Sequence, residues 1–303
     1  MGKLAFVFPG QGAQAVGMGK ALAEQVDSAK RIFDLAGDEV KRIAFEGPAE
    51  LLNLTIHTQP CLFAADLACA AALSSRGVHA DGAAGFSLGE IAALAYSGLM
   101  DEAQAMDFVR FRAGAMHACA EENKGGMLAV LKLAATEVEE ICAGLPMAYP
   151  VNYNCAGQTI VACHEQTMES LEKAVGERGG RAMKLAVSGA FHSPFMDKAS
   201  LEIADYLDGI TFGEARLPVY ANLSAQVYTD PKDALARQVN HPVLWQKTIE
   251  NMVADGFDTF IEAGPGKVLS GLIKKIHGEA HVFQVYDLQS LDSTVSEVAH
   301  AQG

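Results

Sequence analysis

The hydrophobic positions near the start of the chain form a short continuous run. Residues 4–8 are all apolar and are followed at once by Pro9 and Gly10. Such a run is typical of a strand that is buried on both faces of a parallel sheet. Residues 18–50 instead place apolar side chains at helical spacing, and a second apolar helix is predicted over residues 60–73, opened by its proline. Strands that alternate with helices indicate an α/β fold.

Between residues 125 and 187 the order of the predicted elements changes. A strand at 127–131 is followed by a helix that begins near 136, a hairpin over 151–162, a helix over 166–176 and a strand over 181–187. The order β-α-β-β-α-β is that of a ferredoxin-like domain. We therefore expect a small domain at 125–188, inserted into a large domain made of residues 1–124 and 189–303.

The chain then returns to the alternating pattern. The predicted elements are a strand at 218–223, helices at 234–239 and 243–254, a strand at 259–262, a helix that ends near 276 and a strand at 281–285. This order predicts a central, mostly parallel sheet with helices packed on it.

The length and composition of the chain show that it can bury a large hydrophobic core. Hydrophobic residues make up 50% of the 303 residues and charged residues 20%. No apolar run approaches the roughly 18 residues that a spanning helix needs, and the first apolar run is too short for a signal peptide. We expect a cytoplasmic monomer that does not enter a membrane.

Cysteine usage and net charge narrow the classes of partner. The six cysteines include no C-x-x-C pair and lie in apolar segments, which favours buried thiols over disulfides or a metal site. The net charge of −14 argues against nucleic acid as a partner. An anionic substrate must then be bound by a local group of Lys or Arg side chains.

Residues 85–89 have the sequence G-F-S-L-G, which is the G-x-S-x-G spacing of a nucleophile elbow. In this motif the serine, here Ser87, lies on a sharp turn between a strand and a helix. The N–H of the next residue, Leu88, points to where an oxyanion would form. The alternative is a tight turn without chemistry. A short apolar run before the motif and a helix-forming sequence at 91–96 favour the elbow.

Two other glycine-rich segments lack the spacing of a phosphate-binding loop. After Gly10 and Gly12 the next glycine is Gly17, which does not fit the dinucleotide fingerprint. Residues 264–267 lack the first glycine and the following Ser or Thr of a Walker motif. We expect that the loop at Gly10 approaches some other part of the chain closely.

Two arginines in the helix after the elbow differ in their surroundings. Arg110 follows Asp107 by three residues, so a solvated ion pair accounts for it. Arg112 lies on or beside the apolar stripe, where an unpaired charge would cost several kcal/mol. Its partner is either an internal carboxylate or the carboxylate of a substrate.

His192 is the predicted base for the serine. It lies in a loop rich in Gly, Ser and Pro over residues 188–194, just after the chain leaves the predicted insert. A neutral serine needs a base to accept its proton. The alternative is a surface histidine without a role, and the presence of Ser87 favours the catalytic interpretation.

Several of these segments together resemble the malonyl-CoA:acyl-carrier-protein transacylases of type II fatty acid synthesis. The matching segments are residues 6–12 (F-V-F-P-G-Q-G), 58–60 (T-Q-P), 85–90 (G-F-S-L-G-E), Arg112, His192 and 262–269 (E-A-G-P-G-K-V-L). The resemblance covers nearly the whole chain. It implies an α/β-hydrolase-like large domain that carries a ferredoxin-like insert.

The resemblance also implies roles for individual residues. Ser87 resembles the acylated nucleophile, and His192 resembles its general base. Gln238 matches the residue whose main-chain carbonyl orients that histidine. Gln11 and Leu88 resemble the backbone donors of the oxyanion hole. The implied mechanism is ping-pong transfer of a malonyl group from malonyl-CoA to acyl carrier protein, with no metal or redox cofactor.

Three further residues are predicted to bind the acyl group. Arg112 resembles the residue that binds the malonyl carboxylate, Met116 follows it in the same helix motif, and Phe191 precedes the base. Related polyketide acyltransferases specific for methylmalonyl groups have Ser where Phe191 stands. Its bulk would crowd a 2-methyl group, which favours malonyl.

The chain departs from the family at two positions: Phe86 replaces the usual His beside the nucleophile, and Ala113 replaces the glycine after Arg112. Phe86 removes a titratable group from the site. Three alternatives stay open: a serine thioesterase or hydrolase, a trans-acting polyketide acyltransferase, and a non-catalytic module that docks carrier proteins.

Overall fold

The computed structural model describes residues 2–302, with side chains up to residue 300. Its main sheet has five strands, all parallel, in the order β7-β2-β1-β8-β9. The strands are β1 (Lys3–Phe8), β2 (Gly82–Gly85), β7 (Val219–Tyr220), β8 (Phe257–Ala263) and β9 (His281–Val285). This parallel sheet confirms the predicted architecture of the large domain.

Both faces of the main sheet are covered, as the continuous apolar run in β1 requires. Leu4, Phe6 and Phe8 pack into one core cluster, and Ala5 and Val7 pack into another on the opposite face. The helices around the sheet are α1 (Lys20–Gln25), α2 (Asp27–Ala36), α3 (Asp38–Glu46), α4 (Ala49–Leu52), α5 (Thr55–Ser75), α6 (Leu88–Ser97), α7 (Glu102–Glu122), α10 (Asp197–Leu207), α11 (Pro231–Gln238), α12 (Trp245–Ala254), α13 (Val268–Ile276) and α14 (Leu288–Gln302).

A second sheet is antiparallel and lies between α7 and α10 in the chain. Its strands are β3 (Gly125–Leu131), β4 (Ala148–Cys155), β5 (Gln158–His164) and β6 (Arg181–Lys184), with helices α8 (Ala135–Ala143) and α9 (Met168–Glu177). The strand order is β4-β5-β3-β6. The order of elements is the predicted β-α-β-β-α-β, which confirms the ferredoxin-like part of the fold. The predicted domain limits at residues 124/125 and 188/189 stay a prediction.

Helix α5 begins earlier than predicted. The sequence placed its start at Pro60, whereas the helix spans Thr55–Ser75 with the proline inside it. Thr58 Oγ1 donates to the carbonyl of Leu54, one turn back. Polar residues in the first turns hid this start, because Thr and Gln interrupt the apolar pattern. The helix is long and apolar enough to cross a membrane by length and composition, which contradicts the expectation that no such segment exists, but most of it is buried inside the protein.

Two strands are shorter than predicted. Strand β7 covers two residues because the chain turns directly after it, where Ala225 N–H donates to Ala221 O at 2.8 Å. Strand β6 ends at Lys184, and the residues after it line the site described below. All six cysteines are buried and free, as predicted.

Candidate active site

The segment at 85–89 folds as a nucleophile elbow between β2 and α6. Ser87 has φ 54° and ψ −102°, a strained conformation for a residue with a side chain. A Cβ on Gly85 would lie 1.9 Å from the carbonyl carbon of Gly89, and a Cβ on Gly89 would lie 2.1 Å from the carbonyl oxygen of Phe8. Both glycines are therefore required by close packing around the turn.

Asn222 braces this elbow from the end of β7. Its Oδ1 accepts from the N–H of Ser87 at 2.7 Å, and its Nδ2 donates to the carbonyl of Gly85 at 2.6 Å. Asn222 was not predicted from the sequence, because it lies in a segment whose apolar pattern indicates a strand.

His192 and Ser87 meet, although the inserted sheet separates them in the chain. His192 Nε2 lies 2.8 Å from Ser87 Oγ, and Nδ1 lies 2.9 Å from the main-chain carbonyl of Gln238. A carbonyl only accepts, so Nδ1 carries the hydrogen and Nε2 is free to accept the serine proton. Burial, with a smaller effect from Arg112, lowers the pKa of His192 to about 4. The imidazole is therefore neutral at physiological pH.

The two predicted oxyanion donors lie beside the serine. Gln11 and Leu88 line the same cavity as Ser87, and in the described part of the chain neither main-chain N–H donates to a protein acceptor. The loop that carries Gln11 is pressed against the elbow, since a Cβ on Gly10 would lie 2.4 Å from the carbonyl oxygen of Phe86. This contact is the close approach that the sequence predicted for Gly10.

Arg112 is buried with a 1% exposed surface and has only neutral partners. It donates to Gln59 Oε1 at 2.7 Å, Gln238 Oε1 at 2.8 Å and Ser87 Oγ at 3.1 Å. Within residues 2–300 no carboxylate forms an ion pair with it, so the internal salt bridge left open by the sequence is not found. Burial lowers the pKa of Arg112 to about 10, which still leaves it charged at neutral pH.

Apolar side chains form the rest of the cavity around Ser87 and Arg112. The cavity has a volume of about 80 Å³, and its apolar lining consists of Phe86, Met116, Met127, Leu185, Val187 and Phe191 together with Leu88. Met116 and Phe191 line the same cavity as Arg112, and their role in binding the acyl group stays a prediction. Phe86 packs against Trp245 with ring centroids 5.5 Å apart, and it offers the site no polar group.

A longer groove of about 390 Å³ shares part of this lining and runs between the two sheets. The loop at residues 9–13 forms one side of it. The other side includes Asn152, Asn154 and Ile160 of the inserted sheet. The groove therefore adjoins the cavity that contains Ser87, because the two share Gln11, Phe86, Asn152, Leu185 and Val187.

Four residues of the site had no role assigned from the sequence: Gln59, Glu90, Asn222 and Tyr228. Gln59 and Glu90 lie inside the segments that carry the family resemblance, which was the available signal. Nothing in the local pattern marks Asn222 or Tyr228, because their contacts with the elbow cross more than 130 positions of the chain.

Comparison with known proteins agrees with this geometry. Residues 5–289 match the acyl transferase domain family. The malonyl CoA-acyl carrier protein transacylase of Bacillus subtilis is 36% identical over 307 residues, which cover 97% of each chain.

Solved structures of transacylases also resemble this protein. The transacylase of the same name from Clostridium perfringens superposes with a TM-score of 0.95 at 35% identity, over 99% of this chain and 98% of that one. A malonyl-transacylase in complex with a type II PKS acyl-carrier protein gives 0.92 at 33% identity, over 97% and 99%. The chain therefore belongs to the acyl transferase family and, within it, to the malonyl CoA-acyl carrier protein transacylases.

Proposed function

We propose that this enzyme moves a malonyl group from malonyl-CoA to the phosphopantetheine thiol of acyl carrier protein, through a malonyl ester of Ser87. The observation that carries this proposal is the buried charge of Arg112, which has neutral partners and faces Ser87 Oγ. A carboxylate on the acyl group supplies the missing partner of this guanidinium, and a neutral acetyl group does not.

The first half-reaction begins when His192 Nε2 accepts the proton of Ser87 Oγ. The oxygen attacks the thioester carbonyl, and the oxyanion is stabilised by the N–H groups of Gln11 and Leu88. The C–S bond then breaks, and the imidazolium returns its proton to the sulfur of CoA. The Gln238 carbonyl holds the imidazole in the required tautomer throughout.

Arg112 has donors to spare for the acyl carboxylate. A guanidinium has five N–H donors, and three hydrogen bonds are made here, to Gln59, Gln238 and Ser87. Two donors remain (5 − 3 = 2), and the one on Ser87 is released when Oγ becomes an ester oxygen. The two unused donors lie on Nε and Nη1 and do not point to one carboxylate. A bidentate contact with the malonyl carboxylate therefore pairs the Nη2 N–H released by Ser87 with one of them, while the bonds to Gln59 and Gln238 are kept.

In the second half-reaction the carrier-protein thiol passes its proton to His192 Nε2 and attacks the malonyl ester, and Ser87 leaves with that proton. The groove between the two sheets receives the phosphopantetheine arm. The similar transacylase solved with a carrier protein supports this choice of acceptor. We propose fatty acid synthesis as the pathway supplied. A trans-acting role in polyketide synthesis is the second candidate, which the polyketide carrier protein in that structure favours.

We also propose that the enzyme is a cytoplasmic monomer that binds neither nucleic acid nor a membrane. It uses no metal or cofactor, and the CoA thioester is only its substrate.

A serine hydrolase would share Ser87 and His192. Release of free malonate at the rate of malonyl-CoA consumption would identify a hydrolase, whereas a transferase needs a thiol acceptor.

The test is intact-mass measurement after mixing the protein with malonyl-CoA, methylmalonyl-CoA and acetyl-CoA in separate reactions. We expect a malonyl adduct that forms fastest and that disappears when holo acyl carrier protein is added. The Ser87→Ala variant should show no adduct. An adduct that persists in Ser87→Ala would refute the proposal. The absence of any adduct on the unaltered protein, which a non-catalytic docking module would show, would refute it too.

A further inference from the structure

Glu90 is a buried carboxylate directly behind the site, at the start of α6. It is 1% exposed. Its Oε1 accepts from the main-chain N–H of Asn222 at 2.9 Å and from the hydroxyl of Tyr228, and its Oε2 accepts from Gln238 Nε2. Glu90 contacts neither Ser87 Oγ nor His192. Three donors converge on it, which is the arrangement that an acceptor-only carboxylate satisfies.

The side chain of Gln238 links this carboxylate to the catalytic residues. Its Nε2 donates to Glu90 and also to the carbonyl of Ser87 at 2.8 Å, while its Oε1 accepts from Arg112 at 2.8 Å. An amide has two orientations that differ by exchange of O and N. Burial raises the pKa of Glu90 to about 7, so at pH 8 Glu90 is an ionised carboxylate that can only accept. Only one orientation of the amide works there, because Arg112 can only donate.

The amide also separates two opposite charges. A carboxylate in direct contact with Arg112 would occupy the N–H groups that bind an acyl carboxylate. With Gln238 between them, Glu90 supplies a nearby negative charge that offsets the burial of the guanidinium, but it does not compete for the donors that face the cavity.

We propose that Glu90 is a positioning residue that fixes the orientation of the Gln238 amide and thereby aims Arg112 for dicarboxylic acyl groups. The inference rests on the proposed function, which it deepens by naming what sets the acyl selectivity. Glu90 contacts the catalytic side chains only through Gln238, and a glutamine at position 90 keeps a carbonyl oxygen that can accept from the Asn222 N–H. Glu90→Gln should therefore affect malonyl transfer and leave the serine–histidine chemistry in place.

Glu90→Gln is the sharpest variant because it keeps the size of the side chain. The Asn222 N–H and the Gln238 Nε2–H both need an acceptor, and a glutamine at position 90 offers one acceptor and one donor. One of the two donors then faces another donor. When the Gln238 amide turns to meet the new donor, it presents N–H to Arg112 and displaces the guanidinium. The turn also gives up the bond from Gln238 Nε2 to the Ser87 carbonyl, which still accepts from the main-chain N–H of residue 90.

The experiment measures the rate of Ser87 acylation at pH 8 by intact mass, with malonyl-CoA and acetyl-CoA. The two thioesters share the CoA arm and differ at the carboxylate that Arg112 would bind. We expect the malonyl-to-acetyl rate ratio of Glu90→Gln to fall at least tenfold, with acetylation within about threefold of the unaltered enzyme.

The matched control is Glu262→Gln, the same change at a second fully buried carboxylate. Glu262 accepts from the N–H groups of Leu269 and Ser270 and does not contact Gln238. This variant should keep the rate ratio within about twofold, whatever it does to stability. If Glu90→Gln does not fold, Glu90→Asp serves, because the shorter side chain cannot reach both Asn222 and Gln238; the same selective loss is expected.

The outcomes separate the two proposals. A normal malonyl preference in the unaltered enzyme, together with an unchanged ratio in a folded Glu90 variant, overturns the role of Glu90 alone. Equal loss of malonyl and acetyl transfer shows a merely structural role and overturns it too. If the unaltered enzyme gains no malonyl adduct, the proposed function fails and the inference fails with it.

Discussion

Arg112 places a positive charge among methionine, leucine and phenylalanine side chains. The side-chain oxygens of Gln59 and Gln238 accept hydrogen bonds from it. Neutral acceptors stabilise the guanidinium without cancelling its charge at short range. At the scale of single residues, we propose that these amide partners, in place of carboxylates, leave the guanidinium able to select a dicarboxylic acyl group. A carboxylate partner would give a more stable resting protein and a weaker ligand site.

Arg112→Ala should lose malonyl transfer by about 100-fold, equivalent to about 3 kcal/mol, because two charge-assisted hydrogen bonds to the acyl carboxylate disappear. Acetyl transfer should be kept or should rise. The measurement is the malonyl-to-acetyl ratio of Ser87 acylation rates. Arg110→Ala is the control, since Arg110 lies on the same helix but pairs with Asp107 at the surface. An unchanged ratio in folded Arg112→Ala would exclude the carboxylate contact.

The pH dependence of acylation should reflect the lowered pKa of His192, which is about 4 in place of 6.5. The base must be neutral to accept the Ser87 proton, so a lower pKa extends activity to more acidic solution. We expect the slow acylation by acetyl-CoA to stay nearly constant from about pH 8 to about pH 5.5. Acetyl-CoA is the suitable probe because its acyl group bears no carboxylate. Burial raises the pKa of Glu90 to about 7, so the same profile is measured for Glu90→Gln. A half-maximal rate near pH 6.5 in both proteins would show that His192 keeps its ordinary pKa.

At the scale of elements, the elbow is held in a strained turn by contacts from distant segments. Strand β1, strand β2 and Asn222, two residues after β7, all contact it. Asn222 forms hydrogen bonds with two main-chain groups that the turn leaves without partners. These two bonds help to stabilise the strained conformation of Ser87.

Asn222→Ala should therefore destabilise the fold by about 2 to 4 kcal/mol, because the buried Ser87 N–H and Gly85 carbonyl lose their partners. It should also slow acylation by malonyl-CoA and acetyl-CoA together. Urea denaturation and the two acylation rates are the measurements. Asn251→Ala removes a single hydrogen bond to Ala225 O, away from the elbow, and should leave the acylation rates nearly unchanged. Full activity of Asn222→Ala would show that the elbow holds its shape alone.

The helices and strands were predicted correctly where a local sequence pattern determines them. The prediction failed where contacts with residues distant in the sequence determine where an element ends. The run at 4–8 and the motif at 85–89 gave β1 and the elbow directly. Strand β7 was overestimated because its apolar pattern continues into a turn whose shape depends on contact with the elbow. The main-chain carbonyl of Gln238 was predicted by resemblance, but its side-chain amide was not. That amide depends on Glu90, and no spacing rule links positions 90 and 238.

At the scale of the whole molecule, a groove between the inserted sheet and the main sheet adjoins the cavity that contains Ser87. The alternating element order predicted both sheets, including the insert. It could not predict the groove, because the groove is formed by the way the two sheets face each other. Residues 9–13 and Asn152 come from different sheets and meet only in the folded protein.

Ala186→Trp should fill this groove without touching the acyl cavity, because Ala186 is exposed and lines the groove but not the cavity. Acylation by malonyl-CoA and by acetyl-CoA should fall together, at least tenfold, with their ratio kept. Ala103→Trp adds the same bulk on an exposed face of α7 and should have little effect. A change in the ratio, rather than in both rates, would mean that the groove is not shared by the two thioesters.

The carbonyl that orients His192 belongs to Gln238, at the end of α11, whereas the serine it serves lies at position 87. The reactive pair is thus completed late in the order of synthesis. A chain still being made on the ribosome holds its serine without a positioned base until residue 238 has emerged. Acylation that depends on this positioned base therefore requires a chain that extends at least to residue 238.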